Sequence, residues 1–232
     1  FCAVFGAVAW ITVVKDTLNK KTGKSYIVWV LLFGFIVRII AAASYKGHET
    51  DMGCFSAWAD MAFGNGLSHF YLSDSFHDYP PGYLYLLYII GAVKSLFNLQ
   101  GELLWVVLKL PSILADLSLG YMAYNLTAKR FSKTSATAVA VFLVFNPVVI
   151  LNSSVWGQVD SILALFCVMA IYLASEHKLG ASFFAFAAAL LIKPQALFFA
   201  PVLLFAVIDE FYLSDEFDSK KFIKTILMGL GA

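Results

Sequence analysis

YPPGYLYLLYIIGAVKSLF, residues 79–97, decides how this chain is threaded. The stretch is apolar and nearly as long as a membrane crossing, which takes about 20 residues. If it crosses, every later segment changes sides. Two features argue that it does not cross. Pro80, Pro81 and Gly82 break the backbone at its start. Tyr79, Tyr83, Tyr85 and Tyr88 then supply amphipathic rings of the kind that settle at a membrane interface.

The flanking charges give the same answer. Other apolar runs lie at 1–14, 25–44, 103–127, 135–151, 159–175, 180–192 and 194–208. Basic residues gather in 15–24 (KDTLNKKTGK), 128–133 (AKRFSK), 176–178 (EHK) and the end of 218–224 (DSKKFIK). Short basic loops stay on the cytoplasmic side. With 15–24 inside, a crossing at 80–97 would put 128–133 outside. With 80–97 lying in the outer leaflet, every basic loop falls inside. Segments 45–79 and 152–160 then face out. Residues 180–192 make only about 20 Å of helix, so 180–208 reads as two short spans turning at Lys193-Pro194 or as one broken span. The turn returns the KKFIK segment to the inside and is the favoured reading.

Composition supports a membrane protein throughout. The chain is 61% hydrophobic and only 13% charged, against roughly 25% charged in soluble domains. Its net charge of +1 offers nothing to nucleic acid. Cys2, Cys54 and Cys167 have no metal or redox spacing and read as small apolar residues. The chain begins and ends inside apolar runs, so it reads as a piece of a longer protein. The expected organisation is a partial span and basic loop at 1–24, a membrane module at 25–210, and a cytoplasmic loop leading into a further span at 211–232. The expected fold is all-α, a polytopic transmembrane bundle with membrane-parallel helices in its first outer loop.

The polar residues each have a plain reading and a functional one. GHETDMGCFSAW (47–58) follows a span and opens a second helical pattern. Met52, Phe55, Trp58, Ala59, Ala62 and Phe63 share one face of it. Asp51 or Thr50 could simply cap that helix. Asp60 lies about half a turn round from Asp51 and faces water. His48, His69 and His77 with Glu49, Asp74 and Asp78 leave a divalent metal open, though their spacing is not that of a ligand set. No cofactor is assigned. Arg38 and Lys109 lie about six residues inside their spans and could snorkel outward. Asp116 is deeper, seven residues from Lys109 on a similar face, and reads as half of a polar pair with it. Lys193 either snorkels or faces an anionic ligand. NSSVWGQVD (152–160) reads as an outer hairpin, in which Gln158 and Asp160 exceed what a turn needs.

Taken in order, these pieces resemble a known family. They are the carboxylate after the first core span, DYPPGYLYLLYIIG (78–91), KLPSILADL (109–117), AKRF (128–131), FNP (145–147), VWGQVDSILALF (155–166) and LLIKPQALFFAP (190–201). The set is similar to the GT-C superfamily of membrane glycosyltransferases over about residues 25–210. Within it, the chain looks most like bacterial mannosyltransferases akin to the enzyme adding the second mannose of GPI anchors. More distantly it resembles protein O-mannosyltransferases and aminoarabinose-lipid A transferases. The resemblance implies a multi-pass protein of a bacterial plasma membrane, its site facing outward. The implied donor is a sugar, mannose by this likeness, on a polyprenyl phosphate. The acceptor is a hydroxyl of a glycan, lipid or protein. Asp51 matches the catalytic carboxylate of the first loop, Asp160 the acid of the second outer loop, and Lys193 a lysine beside proline near the donor phosphate. Protein O-mannosyltransferases carry Asp-Glu where Asp51 is followed by Met52, and Glu49 precedes it. A protein acceptor is therefore not assumed.

The chemistry suits these residue types. An attacking hydroxyl must lose a proton, which a carboxylate can take. A leaving phosphate must have its charge held, which a lysine or arginine can do. The expected roles are Asp51 as general base and Lys193 with Arg38 at the donor phosphate. Glu49, His48, Tyr79, Trp156, Gln158 and Asp160 would line the substrate, and YPPG would brace the first-loop helices. A transporter or flippase is the competing reading. Charges at Asp116 and Lys193-Pro194 suit it, but no internal repeat does.

Overall fold

The computed structural model describes residues 26–72, 76–211 and 219–231. The expected run 1–14, the loop 15–24, Cys2 and Asp74 lie outside them. All regular structure among the described residues is helical. In chain order it comprises α1 (Ile27–Ser44), α2 (Glu49–Asn65), a 3-10 segment (Leu67–Leu72), α3 (Pro81–Phe97), α4 (Gly101–Ala128), α5 (Lys133–Val144) and α6 (Pro147–Ile150). A π-helical segment, Leu151–Trp156, continues α6 directly. Then come α7 (Asp160–Ser175), α8 (Leu179–Ile192), a 3-10 segment (Pro194–Phe199), α9 (Ala200–Phe211) and α10 (Ser219–Leu230). Helices α1 and α4 and the stretch Pro194–Phe211 are long and apolar enough to cross a membrane. The bent pair of α5 with Pro147–Trp156 makes a fourth span if taken together. Helices α3, α7 and α8 are apolar but shorter. The fold is the all-α membrane architecture that composition predicts.

The described residues form two compact units. The first joins 26–60 to 90–161, and α4 is its axis, packed on α1 and α5. Helix α1 buries Ile27, Val30, Gly34, Arg38 and Ala42 along one stripe, at the three- and four-residue spacing of a helix face. Its other faces expose Val28, Trp29, Phe33 and Ile40, apolar residues suited to lipid. A methyl group added at Gly34 or at Gly120 would run into Val144. Three helices thus approach closely on small residues, as membrane helices do where lipid removes the hydrophobic drive to associate.

Helix α4 runs through Pro111, which lacks the N–H that would close a turn. Its buried face carries Lys109, Ser112 and Asp116, a polar stripe inside the unit. The expected continuous run 135–151 is corrected at Asn146-Pro147. There the Asn146 side chain accepts from Val148 N at 2.9 Å and Pro147 starts a new helix, bent 44° from the last. The expected hairpin at 152–160 is corrected too. Helix persists to Trp156 and ends at Gly157, whose φ of 95° is left-handed.

The second unit joins residues 61–89 to the chain from 162 onward. Ala170, Leu179, Ala185, Leu203 and Phe211 form one cluster, and Cys167, Ala189 and Ala196 another. Helix α10 packs on α8, where Gly180 faces Met228 and Gly229 faces Phe183. Lys193 separates α8 from the following 3-10 segment with an extended backbone. Residues 180–208 are therefore two helical pieces, the second of them long enough to span by itself.

Helix α2 begins earlier than the sequence suggests. Glu49 is its first residue, so neither Thr50 nor Asp51 is its cap. Met52, Phe55, Trp58, Ala59 and Ala62 are buried as predicted. Phe63 is not: it is exposed and meets the Tyr88 ring edge-on.

Candidate active site

Asp51 sits in the first turn of α2, where exposed N–H groups favour a negative charge. Its Oδ2 accepts from two donors of the π-helical turn, Trp156 Nε1 at 3.0 Å and Gln158 Nε2 at 2.5 Å. His48 Nδ1 lies 3.4 Å from the same oxygen. The His48 ring stacks on Trp156 at 5.3 Å between centroids, and His48 N donates to Trp156 O at 3.0 Å. Four residues that the sequence named separately therefore form one group. The Asp51 side chain is 28% exposed, within reach of an incoming hydroxyl. A cavity of about 410 Å³ opens beside it, lined by Tyr45, Lys46, Gly47, His48, Leu151 and Trp156 among others. Glu49 does not join the group: its carboxylate is exposed and only loosely pairs with Lys46, at 3.9 Å. Asp60 faces away and forms an ion pair with Lys94 at 2.6 Å.

The turn that supplies Trp156 and Gln158 is held from below. Asp116 Oδ2 accepts from Arg38 Nε at 3.0 Å and from Ser153 Oγ at 2.6 Å. Arg38 is wholly buried, so the expected snorkelling is corrected. Its Nε donates to Asp116 and its Nη1 to Gly34 O at 3.3 Å. Lys109 is also wholly buried and does not snorkel. It donates instead to the carbonyls of Tyr45 at 2.5 Å and of Ala42 and Val155 at 3.3 Å. The expected pairing of Asp116 with Lys109 is corrected: Asp116 is held by Arg38 and Ser153, and sequence reasoning found neither Ser153 nor the carbonyls around Lys109. Backbone acceptors leave no trace in a residue pattern. Asp160 is drawn to the same turn, where Asn152 Nδ2 donates to it at 3.1 Å.

In the second unit Lys193 Nζ lies 5.3 Å from the centre of the Tyr79 ring, a cation–π distance. The Tyr79 and Tyr83 rings are 5.3 Å apart. YPPG does brace the first-loop 3-10 segment, through Tyr71 Oη donating to Tyr79 O at 2.9 Å. It also braces α8, which the sequence did not suggest. A Cβ at Gly82 would stand 2.6 Å from Leu191 O, so only glycine lets α3 start this close to the end of α8. Among the described residues no three of His, Cys, Asp and Glu gather as metal ligands. His69 contacts Ser68, and His77 packs on Phe70.

The sequence profile of the dolichyl-phosphate-mannose-protein mannosyltransferases matches residues 78–230. No curated protein and no solved structure matches the chain. The matched region contains Tyr79, Lys109, Asp116, Trp156, Gln158, Asp160 and Lys193, whereas Asp51 precedes it. The match confirms the GT-C superfamily through the relatives that the sequence resembled more distantly. The chain is thus an integral membrane protein with several apolar helices, and it belongs to the dolichyl-phosphate-mannose-protein mannosyltransferase family, membrane glycosyltransferases that draw mannose from a polyprenyl-phosphate donor.

Proposed function

We propose that this protein transfers a mannosyl group from a polyprenyl phosphate to an acceptor hydroxyl at the outer face of a bacterial plasma membrane, with Asp51 as general base. The observation that carries this reading is the convergence of Trp156 Nε1 and Gln158 Nε2 on a single oxygen, Asp51 Oδ2. Two donors on one oxygen fix the plane of the carboxylate. They leave Oδ1 as the atom that takes a proton.

The acceptor oxygen attacks the anomeric carbon as its proton passes to Asp51 Oδ1. The bond from that carbon to the phosphate oxygen breaks, and its electron pair leaves with the lipid phosphate. One attack from the face opposite the leaving group inverts the anomeric centre. Because the leaving phosphate is already a stable anion, no second carboxylic acid is required, unlike the two-carboxylate arrangement of glycoside hydrolysis. Lys193 is the proposed cation for the phosphate, from its place beside Pro194 and its position over Tyr79. Arg38 has no part in this step, since Asp116 holds it. Asp160 orients sugar or acceptor hydroxyls, while the Trp156 ring, whose one N–H is given to Asp51, lines the substrate. Lipid-linked and water-borne substrates meet at the membrane boundary, which accounts for a carboxylate directly after α1.

The test is transfer of labelled mannose from synthetic polyprenyl phosphomannose by purified protein in liposomes, offered glycan, lipid and peptide acceptors. The reading expects a mannosylated product of inverted anomeric configuration and release of polyprenyl phosphate. Retained configuration, or passage of donor across the bilayer without transfer, would contradict it.

A further inference from the structure

We infer that Lys109 is a positioning residue for transfer: its ammonium group clamps together the two backbone segments that carry Asp51 and its hydrogen-bond donors. The inference rests on the proposed role of Asp51 and adds a residue to it.

Lys109 projects from α4 and makes no ion pair among the described residues. Its three N–H groups meet three carbonyls, those of Ala42, Tyr45 and Val155. Ala42 and Tyr45 belong to the end of α1, and Val155 to the last turn of the π-helical segment. Helix ends leave carbonyls unsatisfied and carry partial negative charge, so a cation is favoured there. One ammonium serves two such ends at once. Tyr45 leads within three residues to His48, and Val155 is followed at once by Trp156. His48 N then donates to Trp156 O, which closes a ring of contacts above the lysine.

The junction is built around this side chain. A Cβ at Gly157 would lie 3.4 Å from Lys109 Cε and 2.6 Å from Met52 Sδ, so the left-handed glycine lets the turn settle onto the lysine stem. A π-helix is uncommon and marks functional sites more often than ordinary helix does. Here its wider turn ends with Val155 O on Lys109, Trp156 Nε1 on Asp51 and Gln158 Nε2 on Asp51. Removing the ammonium leaves three carbonyls, one buried and two partly buried, without this donor. The segments at 45–48 and 155–158 then separate, and Asp51 loses its fixed plane.

The experiment uses Lys109→Met, which keeps the stem length and removes the charge, with Lys109→Gln as the milder second variant should the first not survive extraction. Hydrogen exchange read by mass spectrometry should quicken at 45–48 and 155–158 and stay at the parental rate in α8 and α9. Turnover should fall roughly 10²-fold, the loss that a displacement of about 1 Å at a catalytic group can bring. The KM for the polyprenyl donor should stay within about twofold. Lys109→Arg, which keeps the charge, should recover part of both the protection and the turnover. Unchanged exchange at the two segments would overturn the inference. So would a rise in donor KM matching the loss of turnover, because Lys109 would then be holding a ligand. Quickened exchange and slow turnover in Lys109→Met, beside full activity in Asp51→Asn, would keep the clamp and refute Asp51 as the base.

Discussion

Gly82 offers a perturbation whose size can be worked from the structure. It is the second residue of α3, where alanine is favoured over glycine by roughly 0.5–1 kcal/mol on backbone entropy. Contact opposes that gain. A Cβ at Gly82 would stand 2.6 Å from the Leu191 carbonyl oxygen and 2.7 Å from its carbon. Ordinary van der Waals contact begins at 3.4 Å, so α3 or the end of α8 must yield by about 0.8 Å at this point. The obstacle is backbone and cannot rotate away. Overpacking of this kind costs about 1–3 kcal/mol, which exceeds the entropic gain. Leu191 is two residues from Lys193, so the shift reaches the ammonium over Tyr79. Gly82→Ala should therefore lower the melting temperature in detergent and weaken binding of a labelled polyprenyl phosphomannose, by up to roughly 10²-fold. Gly64→Ala is the control, since a Cβ there meets nothing within 4 Å, and it should be neutral or stabilising. A Gly82→Ala protein as stable as Gly64→Ala, with parental donor affinity, would refute this link from YPPG to Lys193.

Three further outcomes are expected. Lys193→Gln should weaken donor binding roughly 10- to 150-fold, the equivalent of about 1.5–3 kcal/mol for one charge-assisted contact, in a competition assay on folded protein; unchanged affinity would make Lys193 an interface lysine. Arg38→Met leaves Asp116 buried and unpaired and should cost about 3–5 kcal/mol of stability. The double variant Arg38→Met/Asp116→Leu should regain most of that in thermal unfolding, because Ser153 keeps its bond to Val149 O at 3.0 Å; a double variant no more stable than the single would contradict the pairing. Cysteines at Glu49 and Lys129, in a background without native cysteines, should label from opposite sides of intact cells. Labelling from one side would mean that α3 crosses the membrane.

The spans were legible because the bilayer imposes a length and a composition, and charge rules then order the loops. The Asp51 group was legible only as separate letters. His48, Asp51, Trp156 and Gln158 are more than 100 positions apart at their extremes, and no periodicity connects them. They meet because the chain at 147–156 continues as helix where a hairpin was expected. Asn and Ser favour turns in water, yet Ser153 and Ser154 are buried here, and Ser153 bonds to Asp116 and Val149. Arg38 misled for a related reason. Snorkelling and burial by a carboxylate look the same along one helix, and only the packing of α1 on α4 brings Asp116 within 3.0 Å. Lys109 was harder still, because its partners are carbonyls that every residue owns. Gly82 and Gly157 were visible as letters, but the contacts that require them are not.

The most direct measurement is mannosyl transfer by Asp51→Asn beside the parent and Asp60→Asn. Asparagine keeps the shape, and its carbonyl oxygen can still accept from Trp156 and Gln158, so the turn should hold. It cannot take the acceptor's proton. Asp60 is exposed and pairs with Lys94, and surface pairs of this kind contribute about 0–1 kcal/mol. Asp51→Asn should lose roughly 10²- to 10⁴-fold in turnover, with melting temperature and donor affinity near the parent, while Asp60→Asn transfers at the parental rate. Near-parental turnover by Asp51→Asn would contradict the assignment of Asp51 as the base.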